Sequence, residues 1–128
     1  VALQYDPSVT LNTRYNAYSS QSLAAATSTT FTADFSSNSL GGFVQVWNTG
    51  SGSVAGTNGC QVQAFATADT GPNYDTVAFA GTNFTITTVA STAAAQTVFL
   101  PTGKYKIQLT NLDASNAITV GATTAPVA

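Results

Sequence analysis

The sequence predicts an all-β fold: a β-sandwich, jelly-roll-like or alternatively immunoglobulin-like, of about eight or nine short antiparallel strands. Three observations predict it. Apolar and polar residues alternate with period two in short runs, as in Phe31-Thr-Ala-Asp-Phe35 and Lys104-Tyr-Lys-Ile-Gln-Leu-Thr110. Clusters of Gly, Asn, Asp and Pro separate these runs about every 8 to 12 residues. Between them no helical run is long enough for the crossover of a βαβ unit.

The elements follow in order. Residues 1–8 read as an arm or edge segment closed by Pro7, and residues 9–15 alternate as a strand does. Residues 16–30, rich in Ser, Thr and Ala, read as a loop running into a strand. Phe31, Ala33 and Phe35 mark a half-buried strand, and residues 36–38 a turn. Residues 40–47 are strongly β-prone, with Val44 and Val46 on one face and Phe43, Gln45 and Trp47 on the other. Bulk on both faces suits a central strand, or a strand whose second face meets a partner. The Gly-rich residues 48–59 read as a long hairpin loop.

Residues 60–68 give the clearest strand. Cys60, Val62, Ala64 and Ala66 share a face, and Phe65 intrudes among Gln61, Gln63 and Thr67 on the other. Residues 69–73 are a loop, 76–80 a short strand and 81–83 a turn. Phe84, Ile86 and Thr88 alternate, residues 90–95 read as loop, and residues 97–100 form a strand ending at Pro101. In residues 104–110 Tyr105, Ile107 and Leu109 point inward. Lys104 and Lys106 point out, as on a protected sheet edge. A turn at 111–116 leads to a last strand with Ile118 and Val120, and residues 121–128 read as a fraying tail of small side chains. The domain reading is therefore an arm or edge segment at 1–22, a sandwich at 23–122 and a flexible tail at 123–128.

Composition bounds the function. The chain has 128 residues, 44% of them hydrophobic, enough for one domain with its own core. Only three basic and five acidic residues give a net charge of −2. Nucleic-acid surfaces and anionic lipid need more Lys and Arg than that. No apolar run approaches a membrane span of ~20 residues. There is no signal-peptide pattern, and a start at Val1 fits removal of an initiator Met or of a longer leader. Cys60 is the only cysteine, and its place in an alternating run makes it a buried structural thiol.

With no His and no Glu, Ser-His-Asp, Cys-His and His-based zinc constellations are excluded. The remaining carboxylate pair, Asp69 and Asp75, flanks a loop in which Asp69 is an ordinary turn former. No enzyme and no cofactor are expected. Two clusters carry oxygen ligands for calcium: Asp69, Asn73 and Asp75, and Asn111, Asp113 and Asn116. Neither has the EF-hand spacing, and Asn and Asp in turns usually cap their own backbone. The rings Trp47, Phe65, Tyr74 and Phe79 stand beside polar residues. Trp47 and Tyr74 are the candidates for a glycan platform. Tyr5, Tyr15 and Tyr18, together with Phe43 and Trp47, are candidate interface residues. Asn83-Phe-Thr85 matches the glycosylation triplet, which is frequent by chance.

The stretch Gln96-Thr-Val-Phe-Leu-Pro-Thr-Gly-Lys-Tyr-Lys-Ile-Gln-Leu-Thr-Asn-Leu-Asp113 resembles small β-sandwich proteins of tailed bacteriophage virions, particularly head-decoration (cement) proteins. The resemblance covers residues 30–122. It rests on few charges, abundant Thr, Ala and Gly, and an L-P-x-G-x-Y-x-I lead-in to a strand, a texture shared with Ig-like bacterial surface domains. It implies a non-enzymatic virion subunit that stabilises a capsid through contacts with capsid or other virion proteins, often as a homo-oligomer such as a trimer. Two other readings stand beside it: a carbohydrate- or receptor-binding module, and an extracellular fibre or surface-layer subunit.

Overall fold

The computed structural model describes residues 15–38, 40–51, 58–68 and 73–127. Eight strands run β1 (Tyr15–Leu23), β2 (Ser28–Asp34), β3 (Gly42–Thr49), β4 (Cys60–Ala66), β5 (Phe84–Ile86), β6 (Ala94–Leu100), β7 (Lys104–Asn111) and β8 (Ile118–Pro126). Two four-stranded sheets result, in the orders β1-β8-β3-β6 and β2-β7-β4-β5. Every neighbouring pair is antiparallel. Successive strands thus change sheet at every step except β4 to β5, which pair within one sheet, in the winding of a jelly roll. Among the described residues there is no helix, and so none that is long and apolar enough to cross a membrane.

The core forms where the two inner faces meet. Phe31, Ala33 and Phe35 face Val44, Val46, Val120 and Ala122, with Ile107, Leu109 and Leu100 filling between them. The alternation that predicted β2, β3, β4 and β7 is also their burial pattern. A Cβ on Gly42 would fall within the space of the Phe35 ring, so this end of β3 is glycine because the fully buried Phe35 lies against it.

Four sequence expectations change. Residues 16–23 are strand, not loop: β1 is an edge strand anchored by Tyr18 and Leu23, so it needs no longer apolar alternation, and its register slips on either side of Tyr18. Residues 121–126 are not a tail: they complete β8, which lies between β1 and β3. Residues 76–80 form no strand. They run irregularly along the edge of β4, where Asp75 and Phe79 donate their N–H groups to Ala66 and Ala64 carbonyls. The lysines do not guard an edge, because β7 pairs with β2 on one side and β4 on the other. Lys106 instead places its ammonium 5.3 Å from the centre of the Phe65 ring and 5.6 Å from that of Tyr74. That cover explains the buried Phe65 on an otherwise polar face.

Cys60 is fully buried, and burial pushes its thiol up to about 11. A thiol reagent at about pH 8 is expected to leave the native protein unmodified and to label one site per chain only after denaturation. Rapid labelling of native protein would contradict the packing.

Candidate functional site

The outer faces of the two sheets differ in kind. Of the charged residues described, Asp34, Lys104 and Lys106 lie on the β2-β7-β4-β5 sheet, Asp75 in its β4–β5 connection, and Asp113 in the β7–β8 connection between the two sheets. The strands of the β1-β8-β3-β6 sheet carry none. The register arranges that outer face in cross-strand rows. Phe99, Phe43 and Ala125 form one; Thr97, Gln45 and Thr123 the next; Ala95, Trp47 and Gly121 the third. Rings therefore alternate with amides and hydroxyls on a face whose described strand residues carry no charge.

Trp47 reaches this face because β3 alternates strictly, with Val46 and Asn48 buried on either side of it. Its indole, along Cζ2, Cε2 and Nε1, fills the space that a Cβ on Gly121 would need. The ring is half-buried against β8 and keeps an exposed part. Phe43 packs edge-on to Phe99 with ring centres 5.3 Å apart, and Phe99 remains 48% exposed.

The structure separates the other sequence-predicted residues. Tyr74 lies against Lys106 on the opposite sheet, so it shares no platform with Trp47. Tyr18 turns toward the core: it stacks on Phe31 at 5.7 Å, and its hydroxyl lies 3.0 Å from Thr29 Oγ1. Of Tyr15 only the place is fixed, opposite Thr124 at the start of β1. Tyr5 and Asp69 lie outside the described residues. Phe79 is partly buried, edge-on to Tyr105. Asn83 accepts a hydrogen bond from Gln61.

The cluster of Asn111, Asp113 and Asn116 comes together as a backbone-binding network. Asn111 Nδ2 donates to the carbonyls of Leu23, Ala24 and Asn116, and its Oδ1 accepts from Asp113 N–H. Asp113 Oδ1 accepts from the N–H groups of Ser115 and Asn116. The oxygens that would face a cation are thus turned to amide donors. Among the described residues no group of three or more acidic or cysteine side chains is placed to hold a metal. An open concavity of about 510 Å³ is lined by Asp34, Thr67, Thr102 and Lys104, but among the described residues no ring lines it, and Asp34 is already engaged by Ser36.

These contacts set a pH dependence. The Ser115 and Asn116 amides hold Asp113 below the ordinary carboxylate range, and the Ser36 hydroxyl and N–H do the same for Asp34. Both folded values lie below the unfolded value of about 3.9. Their stabilisation is therefore present above that value and lost as pH falls through the folded ones. The thermal midpoint is expected to drop between about pH 5 and about pH 2, and less steeply in Asp113→Asn. Parallel midpoint curves for the two proteins would remove Asp113 from the account.

No protein-family model matches the chain, and no curated protein matches it by sequence. Solved structures do. A CBM35 carbohydrate-binding module in complex with a disaccharide containing glucuronic acid is 17% identical with a TM-score of 0.51, over 80% of this chain and 67% of that one. The adhesin domain of Lys-gingipain from Porphyromonas gingivalis W83 is 14% identical with a TM-score of 0.50, over 90% and 73%. A chain in the structure of infectious bursal disease virus, strain Gx, is 14% identical with a TM-score of 0.53, over 88% and 31%. This chain spans about two thirds of the length of the CBM35 modules it resembles. At such identities the likeness shows the fold alone, and none of these three is a tailed-phage head-decoration protein. The chain is a small antiparallel β-sandwich, a fold also found in viral, carbohydrate-binding and adhesin proteins.

Proposed function

We propose that the chain is a carbohydrate- or receptor-binding module whose contact surface is the outer face of the β1-β8-β3-β6 sheet. The observation that carries this reading is the setting of Trp47: a partly exposed indole held on glycine beside the uncharged Gln45, Thr97 and Thr123. A neutral glycan offers C–H faces to a ring and hydroxyls to amides and hydroxyls, and it needs no charge in return. The preferred ligand class is therefore a neutral oligosaccharide, presented as a polymer or on a receptor. Such a module works outside the cell or on a particle surface.

The test is titration of the protein with neutral gluco-, xylo- and manno-oligosaccharides, read by Trp47 fluorescence and calorimetry. Binding by at least one class is expected. Trp47→Ala is expected to weaken it by about 2 kcal/mol, roughly thirtyfold. Equal affinity of wild type and Trp47→Ala would overturn the reading.

A second reading, a virion structural subunit bound to capsid protein, is favoured by the exposed Phe99 beside Phe43 at the border of the same face. Apolar rings at an uncharged rim suit burial against protein. Native mass measurement of the complex from which the chain is isolated separates the two: a fixed stoichiometry with one capsid protein supports the second.

A further inference from the structure

We propose that β6 is an assembly edge, and that two copies of this chain pair β6 to β6, antiparallel, about a twofold axis at Thr97. Backbone direction comes first. Val127 donates its N–H to Gly41 carbonyl, which turns the odd-numbered residues of β3 toward β8 and the even-numbered ones toward β6. The β3–β6 register pairs Val44 with Val98 and Val46 with Gln96, without a shift. The even-numbered residues of β6 thus bond to β3. The N–H and C=O groups of Ala95, Thr97 and Phe99 point to the other side, where no described strand pairs with them.

The remaining edges are managed in ways that β6 is not. The register of β1 slips twice, and β5 has only three residues. Strand β2 ends on a charge, Asp34, and is flanked by Tyr18 of β1. Strand β6 has seven residues with no charge, proline or bulge, and it carries the 48% exposed Phe99.

The twofold axis at Thr97 uses the whole strand. Thr97 then faces Thr97 of the second copy, a favourable cross-strand pair, and no charge meets its like. Ala95 faces Phe99 of the second copy. In the single chain Ala95 is an exposed low point beside Trp47 in the same row. The incoming Phe99 fills that low point against the indole, and the symmetric contact repeats it. The three outward-facing residues supply about six backbone hydrogen bonds across the axis. The buried area is small, so the dimer is weak and concentration-dependent. It rests on the unpaired backbone of β6 and not on any ligand of the Trp47 face, although the incoming Phe99 borders the same indole.

Sedimentation equilibrium over a concentration series tests this. Wild type is expected to move from the mass of one chain toward that of two. Thr97→Pro is expected to keep the single-chain mass throughout and to fold normally, because the N–H it loses serves no bond within the chain. Thr97→Cys supplies a second readout. Directly opposed residues in a hydrogen-bonded pair have Cα atoms ~5.5 Å apart, within reach of a disulfide. Oxidation is expected to cross-link Thr97→Cys into dimers and to leave Thr30→Cys, on the β2 edge, monomeric. Wild type of single-chain mass at every concentration, a folded Thr97→Pro that still dimerises, or a Thr97→Cys that does not cross-link would each overturn the proposal.

Discussion

Asn111→Ala is expected to cost about 4 kcal/mol, close to the whole stability margin of a marginal domain. Asn111 ends β7 and is almost fully buried. Its amide serves three carbonyls, at 3.2 Å to Leu23, 3.3 Å to Ala24 and 2.8 Å to Asn116, and its Oδ1 receives Asp113 N–H at 3.0 Å. These bonds join the β1–β2 connection, the β7–β8 turn and the end of the strand itself. Truncation removes them together and takes this partner from the buried Leu23 carbonyl and Asp113 N–H, while the Ala24 carbonyl keeps its bonds from Thr27; losing a buried partner costs more than the bond was worth net. Asn111→Asp is expected to be nearly as damaging, since a carboxylate accepts but cannot donate to three carbonyls. Urea unfolding at neutral pH measures both. A loss under about 1 kcal/mol for Asn111→Ala would mean that water replaces the amide at little cost.

This residue also marks the limit of what the sequence discloses. Asn111, Asp113 and Asn116 stand out as a cluster of oxygen-bearing side chains in the chain, and the structure does bring them together. The sequence does not tell that the cluster's partners are carbonyls more than 80 residues away, in Leu23 and Ala24. Strands β2, β3 and β7 are legible because their alternation is local and each buries one face. Strand β1 and the second part of β8, residues 121–126, are not, for opposite reasons. The β1 edge strand buries few side chains. The buried β8 has small ones on its outer face because large rings from β3 cover it.

The candidate site divides in the same way. That Phe43, Gln45 and Trp47 share a face follows from period two. That the face is free of charge follows only once β1, β3, β6 and β8 are known to be one sheet. The same assembly puts Tyr74 on the other side of the sandwich from Trp47, and it puts the two lysines on a central strand. Sheet neighbours are long-range facts here, because all successive strands but β4 and β5 lie in different layers.

Gly121→Ala is expected to show the sharpest coupling in the protein. In wild type a Cβ at this position meets Trp47 Cζ2, Cε2 and Nε1, so the substitution forces the indole off β8. The expected cost is about 1–3 kcal/mol, as for other additions to a filled space. Trp47 emission should shift to the red and become more open to acrylamide. Oligosaccharide affinity, where the platform reading holds, should fall as far as in Trp47→Ala, although no atom of the platform has been deleted. In a Trp47→Ala background the sign reverses. With the indole gone the new methyl has room, and replacing glycine within a strand gains about 0.5–1 kcal/mol by restricting the unfolded chain. The two substitutions should therefore be strongly non-additive in a double-mutant cycle read by urea unfolding. Equal costs of Gly121→Ala in both backgrounds would show that position 121 is glycine for its own backbone and not for the ring. The stability half of this experiment does not depend on any ligand. It asks directly whether the small residues of β8 are there to hold Trp47 in place.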